Sequence, residues 1–365
     1  MNLLVPNLGS TSLKYQILEM PSETVLSRGR AERVRDYGEA IRQIESAGVR
    51  VDAVVFKAVH AGPQFCGTFA VDASVLRALE EFLPAAPAHN AIYLAAMRAF
   101  RENMPDVPLV AAFETAFHAG MPARACLYGV PSEWRAEGVR KYGFHGASHQ
   151  YVAERCAELL GRQTRLISCH LGGSSSMCAI DRGRSIDTTM GFSPQSGLEN
   201  ATRHGDLDAF AVLFMMERHG WTPAQVREQL ATGGGLAGLS GIAGGDLRDL
   251  EQAAAGNGRA GEAIEIFAYQ VRKTIGAYAA ALGGLDAVAF TGGIGENSAS
   301  LRAACCAGLE FLGIALDAEL NEHAGRDRMV SRGPVAVLAL STNEELIVAR
   351  RAYQLLAGGC ATLAS

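Results

Sequence analysis

Ten consecutive residues, Arg140-Lys141-Tyr142-Gly143-Phe144-His145-Gly146-Ala147-Ser148-His149, hold two cations, two histidines and two glycines. A neutral histidine can donate to a phosphoryl oxygen, and a charged one can stabilise developing negative charge. His145 and His149 stand four apart, a spacing that suits a metal on a helix. A helix beginning near Ser148, and the missing glutamate of a zincin motif, argue against ligation. Glu114, in Phe113-Glu114-Thr115-Ala116-Phe117-His118, follows the apolar run 107–112. A carboxylate just past the C-terminal end of a strand is where α/β proteins place catalytic groups. Glu344 and Glu345 follow another apolar strand. Thr342 and Glu345 fit a capping box, which leaves Glu344 as the freer acid, able to hold Mg²⁺ directly or through water. Arg203 lies among turn residues at 200–206, where an arginine suits bidentate recognition of carboxylate or phosphate. The plainer reading of Arg203 is a solvated surface charge.

Glycine- and serine-rich turns surround these groups. The run from Leu3 to Leu18, with Asn7-Leu8-Gly9-Ser10-Thr11-Ser12 at its centre, is nearly repeated from Ile167 to Ile180 around His170-Leu171-Gly172-Gly173-Ser174-Ser175-Ser176. Each copy reads as strand, turn, strand, and such a turn can bring backbone N–H groups and hydroxyls to a phosphate. Two copies half a chain apart suggest a duplicated fold whose two lobes grip one polyphosphate. The alternative is a pair of ordinary β-hairpins. The segment 286–298 reads as a strand running into Gly292-Gly293-Ile294-Gly295, with Asn297 or Ser298 capping a following helix. The segment 232–246 matches Gly-x-Gly-x-x-Gly but follows a helix, the wrong setting for a dinucleotide site. It reads as a flexible loop, either closing over a ligand or lying on the surface. No Gly-x-x-x-x-Gly-Lys-Ser/Thr occurs, which excludes a P-loop.

The elements that must position these groups alternate. Strands are expected at 2–6, 12–18, 51–59, 108–113, 165–170, 176–180, 286–291 and 334–340. Helices are expected at 37–47, 73–82, 90–102, 147–161, 206–218, 222–230, 260–282, 298–307 and 343–356. That alternation predicts an α/β protein. The chain has 365 residues, 48% hydrophobic and 19% charged, enough apolar material for two lobes. A net charge of −5 argues against a general nucleic-acid surface. No signal segment and no long apolar span is evident, so a cytoplasmic protein with no membrane partner is expected. The eight cysteines form no Cys-x-x-Cys pair and read as small buried hydrophobes.

Taken together the motifs resemble the acetate kinase family, within the acetate and sugar kinase/Hsp70/actin superfamily. The matching segments are 7–17, 58–62, 86–90, 113–118, 139–155, 168–176, 190–194, 202–208, 245–250, 290–302 and 341–346, in the order that family shows. The resemblance implies a duplicated actin-like, ribonuclease H-like fold with a cleft between lobes. The first lobe would comprise 1–114 plus 346–365 and the second 115–345. It implies a homodimeric, Mg²⁺-dependent enzyme that phosphorylates a short-chain carboxylate with ATP, giving ADP and an acyl phosphate. By position, Glu114, His145 and Arg203 would be catalytic, and Lys57, His89, Phe144, Val59 and Pro194 would line the substrate site. Ser10, Ser12, Lys14, His170, Gly172, Gly173, Asp246, Arg248, Gly293, Gly295, Glu296 and Asn297 would bind the nucleotide. Asn7 and Glu344 would sit at the metal.

Three positions depart from the family pattern. Lys57 stands where the family has Arg, which keeps the charge but loses the planar fork. Glu114 replaces an Asp, and Ala88 replaces a Leu facing the methyl of acetate. The smaller Ala88 leaves room for propionate or butyrate. Two other functions fit parts of the pattern: a kinase for a hydroxyl substrate, with Glu114 as its base, and a nucleotide-binding regulator without turnover.

Overall fold

The computed structural model describes residues 1–9, 12–32, 37–45, 48–323 and 325–358. Twelve strands form two six-stranded sheets. The first contains β1 (Asn2–Leu8), β2 (Ser12–Glu19), β3 (Thr24–Glu32), β4 (Ala53–Ala58), β5 (Thr68–Ala70) and β6 (Leu109–Phe113). The second contains β7 (Arg165–His170), β8 (Ser176–Asp181), β9 (Arg184–Thr188), β10 (Ala287–Thr291), β11 (Arg328–Met329) and β12 (Ala336–Ala339).

The two sheets are the same object built twice. Their orders are β3-β2-β1-β4-β6-β5 and, read from the other edge, β9-β8-β7-β10-β12-β11. In each, the first three strands form an antiparallel meander. The next two inner strands add in parallel, and the outer edge strand closes the sheet antiparallel. Even a register shift recurs, at Ile17/Leu18 of the first meander and Ala179/Ile180 of the second. The expected duplication is therefore present strand for strand.

Both faces of each sheet are covered at its centre, so the central strands carry continuous apolar runs, while β2 exposes Lys14 and Glu19. Val54, Val55 and Phe56 of β4, and Val288, Ala289 and Phe290 of β10, have no exposed surface. On its outer face the first sheet packs Leu4, Phe56 and Ala111 against the helices Tyr37–Glu45, Ala73–Glu81 and Pro87–Asn103. There Phe56 meets Phe100 edge-on at 5.4 Å, a geometry that contributes about 0.5–1.5 kcal/mol beyond burial. The second sheet packs against Gly258–Ala281, whose Ala260, Ala263, Phe267, Val271, Ile275 and Tyr278 recur at helical spacing.

The inner faces carry one helix each. Ile347, Val348, Ala349 and Ala352 of Glu344–Ala357 cover Leu3, Val5, Val55 and Val110 of the first sheet. Val152, Ala153 and Cys156 of Gly146–Leu160 cover Leu166, Cys178 and Ala289 of the second. These two helices also join each other, through Arg350–Glu154 (2.5 Å) and Arg351 Nε–Gln150 (3.0 Å).

All eight expected strands and all nine expected helices are present, with ends shifted by a few residues. Four strands were not expected: β3, β5, β9 and β11, the edges of the two sheets. The segment 232–246 is not a loose loop. It contains the helix Gly235–Ser240, with Leu236 and Ser240 buried. The expected Thr342/Glu345 capping box does not form either. Asn343 is the cap, its side chain accepting from Leu346 N–H at 3.2 Å. Ser298, not Asn297, caps the helix after the 292–297 turn. Among the described residues, no helix is long and apolar enough to cross a membrane.

Candidate active site

The site lies where the strand ends of both sheets meet the N-terminus of Glu344–Ala357. Lys57, on β4, points its ammonium between two carboxylates: Glu114 at 3.4 Å and Glu344 in a closer ion pair. Burial alone would lower the Lys57 pKa, but Glu344 and then Glu114 override it and hold the ammonium well above its usual range. Glu114 starts the turn after β6, as expected of an acid at a strand end. Burial pushes its carboxyl up, against the opposing pull of Lys57. Its other oxygen accepts the His145 backbone N–H at 2.9 Å.

That bond helps hold His145 in an unusual backbone. Its φ is +56°, left-handed, and it forms the N-cap of Gly146–Leu160. The helix thus begins two residues before Ser148. Gly146 is required there, because a Cβ would stand 2.1 Å from the Glu114 carbonyl oxygen. The His145 ring lies 2.8 Å from Ser176 Oγ through Nδ1 and 3.1 Å from Ser174 Oγ through Nε2. It stacks on His170, centroids 4.3 Å apart. Burial, followed by His170 and other neighbouring cationic groups, holds His145 well below its ordinary value, so the imidazole is neutral at pH 7. His149 shares Ser176 with His145, its Nε2 2.8 Å from Ser176 Oγ.

Both hairpins reach the 342–345 segment. In the first, Asn7 pairs across from Lys14 and donates to Glu345 at 3.0 Å. Ser12 closes that turn, its carbonyl accepting Gly9 N–H at 2.8 Å. Ser10 lies outside the described residues. Asn7, Lys14 and Glu345 also line a cavity of about 200 Å³ beside Arg28 and Arg30. In the second hairpin, His170 faces Ser176 in register, and its Nδ1 meets Ser148 Oγ at 2.8 Å. Ser148 in turn accepts from Thr342 at 3.0 Å. Glu344 raises the His170 pKa, although burial keeps it below its usual value overall.

The second turn is internally braced. Gly172 N–H donates to Ser175 Oγ, and Ser175 N–H donates to the buried Asn200 side chain at 2.5 Å. Asn200 was not anticipated as a functional residue, although it stands three residues before Arg203. A Cβ on Gly173 or Gly293 would meet nothing within 4 Å, so both border open space, whereas one on Gly172 would approach Gly293 N at 3.8 Å. The 292–297 turn is itself helical. Ile294 and Gly295 donate to the Leu171 carbonyl, and Asn297 donates to Gly293 O at 2.8 Å. The buried guanidinium of Arg302 donates to the carbonyls of Gly295 and Glu296 at 2.8 and 2.9 Å. Glu296, Asn297 and Arg302 border a separate cavity of about 460 Å³. Asp246 and Arg248 pair with each other at the exposed N-terminus of Leu247–Ala253. Hydrogen bonds from Arg248 lower the Asp246 pKa to about 2.

Arg203 completes the ring of charge. Its guanidinium donates to Pro194 O at 2.6 Å, and its field reaches Glu114, His89 and His145. The loop that carries it rests on Gly235–Ser240. Gly234, Leu236 and Ala237 N–H groups donate to the carbonyls of Thr202, Asn200 and Ala201. This is why that segment is rich in glycine: at Gly235, φ is +59° and a Cβ would stand 2.1 Å from Asn200 O. Burial, then Arg203 and Lys57, lowers the His89 pKa to about 4. Val59 and Phe144 belong to one buried apolar cluster with Tyr93, and Phe192 packs against it. The side chain of Ala88 lies outside the described residues.

Oxygen donors suited to Mg²⁺ are at hand in Asn7, Glu344 and Glu345. Mg²⁺ keeps several waters and takes substrate phosphates, so one or two protein carboxylates suffice. No group of three His, Cys, Asp or Glu forms a closed metal cage among the described residues. Among the described residues the cysteines form no pair: six of the seven are buried and Cys66 is half-buried.

Known proteins resemble this chain over nearly its whole length. The sequence model of the Acetokinase family matches residues 39–350. An acetate kinase of Geobacillus kaustophilus is 44% identical, over 97% of this chain and 98% of its own length. The crystal structure of Porphyromonas gingivalis acetate kinase superposes with a TM-score of 0.87 at 34% identity, covering 97% of this chain and 99% of that one. A propionate kinase from Francisella tularensis superposes with a TM-score of 0.89 at 31% identity, over 96% and 98% of the two chains.

Proposed function

This chain belongs to the acetokinase family, and we propose that it transfers the γ-phosphoryl group of ATP to a short-chain carboxylate, reversibly and in one in-line step. A carboxylate oxygen forms the new bond to phosphorus while the bond to the ADP oxygen breaks. The nucleophile is already ionised at neutral pH, so no strong base is needed. The work left to the protein is alignment and neutralisation of charge on the equatorial oxygens. Arg203, Lys57 and the His145 N–H supply that neutralisation. Glu114 holds His145 through its backbone and Lys57 through its charge. Asn7 and Glu344 would hold Mg²⁺, which would supply positive charge to offset that of the nucleotide phosphates. Gly173, Gly293, Gly295 and Asn297 line the approach of the phosphates and nucleoside, with Asp246 and Arg248 at the rim.

The observation that carries this reading is the grouping of half-buried Lys57, His145 and Arg203 around the buried Glu114. It also disfavours a hydroxyl kinase. Glu114, the base such an enzyme would need, already accepts the His145 N–H and pairs with Lys57. A hydroxamate assay with ATP, Mg²⁺ and C2 to C4 acids tests the proposal. Acyl phosphate is the expected product. ATP binding without acyl phosphate would make the protein a regulator instead.

Within that assay, propionate or butyrate should serve at least as well as acetate. Each buried methylene contributes about 0.8 kcal/mol. A steep preference for acetate would refute this. The lobes that close on the substrates are taken as 1–114 plus 346–365, and 115–345. The packing of Glu344–Ala357 on the first sheet supports that division. The protein is proposed to act as a homodimer on the cytoplasmic ATP pool. The helix Ala209–His219 buries none of its residues, leaving Phe210 77% and Phe214 57% exposed. An apolar face of this kind calls for a partner surface.

A further inference from the structure

The proposed transfer needs a hydrogen-bond donor from a histidine that is not protonated twice. Which ring nitrogen of His145 carries its single proton is then decisive, and the residues behind it bear on that choice. Ser176 Oγ stands between two imidazoles, 2.8 Å from His145 Nδ1 and 2.8 Å from His149 Nε2. His149 Nδ1 is 2.9 Å from Ser168 Oγ. Ser168, His149 and Ser176 have no exposed surface, so bulk water offers them no other partners.

A hydroxyl has one proton, and a neutral imidazole has one N–H and one lone pair. A hydroxyl oxygen also has two lone pairs, but Ser176 accepting from both rings would leave its own buried proton without an acceptor, so two proton orders keep every hydrogen paired. In the first, Ser168 donates to His149 Nδ1, His149 Nε2–H donates to Ser176, and Ser176 donates to His145 Nδ1. His145 then carries its proton on Nε2. In the second, every bond reverses and both histidines carry their protons on Nδ1. His145 Nε2 would then accept from Ser174 Oγ, 3.1 Å away in the phosphate hairpin, and would offer no N–H to an incoming phosphoryl oxygen. The first order places an N–H there.

The neighbouring ring repeats the device. Thr342 donates to Ser148, whose hydroxyl meets His170 Nδ1, an order that leaves the His170 proton on Nε2. His145 and His170 are stacked with a 28° angle between rings. Two neutral rings can stack in this way, whereas two imidazolium ions would repel.

We propose that Ser168, His149 and Ser176 form a buried row of donors that fixes His145 as the Nε2–H tautomer, making His149 and Ser176 positioning residues for phosphoryl transfer. This rests on the kinase reading above. His149 touches no substrate in this scheme and acts only through Ser176.

Nitrogen-15 labelling of the nine histidines, followed by long-range proton–nitrogen correlation on the intact protein, reads the tautomers directly. His145 and His149 should both appear as Nε2–H. An Nδ1–H signal from either overturns the proposal, and this measurement needs no positioning variant. Kinetics supply a second reading. Ser176→Ala should lower kcat by about 10²-fold, the scale of losing one oriented donor, with KM for ATP and acid within about two-fold. His149→Gln keeps an N–H for Ser176 and should retain most of the rate, while His149→Phe should fall with Ser176→Ala. Equal losses in the Gln and Phe variants would reduce His149 to a packing residue. If the wild-type protein forms no acyl phosphate, the kinase reading fails, and the spectrum still decides the proton order.

Discussion

The two halves share one topology and equip it differently. At the strand ends of the first sheet stand charged side chains: Lys57 after β4's buried run, Glu114 just past β6, and Glu344 brought in by the covering helix. At the matching ends of the second sheet stand glycines. β10 runs directly into Gly292 and Gly293, and β7 into Leu171-Gly172-Gly173. The first half therefore offers side-chain charge, which suits a small carboxylate and a metal. The second offers backbone approach and neutral imidazoles, which suit a polyphosphate. Duplication supplied a symmetric frame, and the choice of residue at a few strand ends broke the symmetry of its chemistry.

Acid should strike hardest at the reliance on neutral histidines. Burial lowers His60, His89 and His118 to about 4. The unfolded chain takes up these protons near pH 6.5. Between 6.5 and 4 the unfolded state binds more protons, so stability is lost as pH falls through that window. Each such histidine contributes about 1.4 kcal/mol per pH unit there. Melting temperature followed from pH 7 to 4.5 should drop steeply; a flat profile would mean the histidines titrate freely.

The charged half is broken by Lys57→Met. It leaves Glu114 and Glu344 facing each other without a cation, and a loss of about 3 kcal/mol in urea unfolding is expected. An unchanged midpoint would show that water already screens the pair. Arg203→Ala tests the one charge that the second half lends to the first. Turnover should fall by at least about 10²-fold, and unchanged turnover would remove Arg203 from the site.

A comparison of two glycines sharpens the picture. Gly235 and Gly244 both have positive φ, +59° and +80°, but a Cβ on Gly244 would meet nothing within 4 Å. Gly244→Ala should cost only left-handed strain, about 1 kcal/mol. Gly235→Ala should add displacement of the Arg203 loop and lower kcat by about 10-fold. Equal kinetics for the two would show that Arg203 does not depend on the helix beneath it.

What the sequence revealed follows the same inner and outer division. The eight strands legible from their composition are the inner four of each sheet; seven carry apolar runs buried on both faces, and β2, with Lys14 exposed, was legible as the second strand of the repeated hairpin. β3 exposes every second residue and buries none, so its sequence, Thr24-Val25-Leu26-Ser27-Arg28-Gly29-Arg30, carries no such signal. β11 has two residues and β5 three. The groups proposed to touch substrates were legible because their residue types are chemically distinctive. The groups that hold them were not. Ser168, Ser176 and Asn200 look like any polar residue until tertiary packing turns them toward His149, His145 and the second hairpin. The glycines of 233–245 look mobile, yet Gly235 is fixed by contact with Asn200 and Arg203, far back in the chain. Glu344 read as a free acid because Lys57 lies 287 positions away.

The covering of the first sheet by Glu344–Ala357 has a consequence for biosynthesis. Leu3, Val5, Val55 and Val110 leave the ribosome long before Ile347 and Val348 arrive to shield them. Domains ordinarily fold from the N-terminal end as they emerge. Here that half must wait, one greasy side bare, while more than two hundred further residues are translated. The same late helix delivers Glu344 to Lys57. A nascent chain therefore cannot complete its Lys57 ion pair until translation has passed its closing helix.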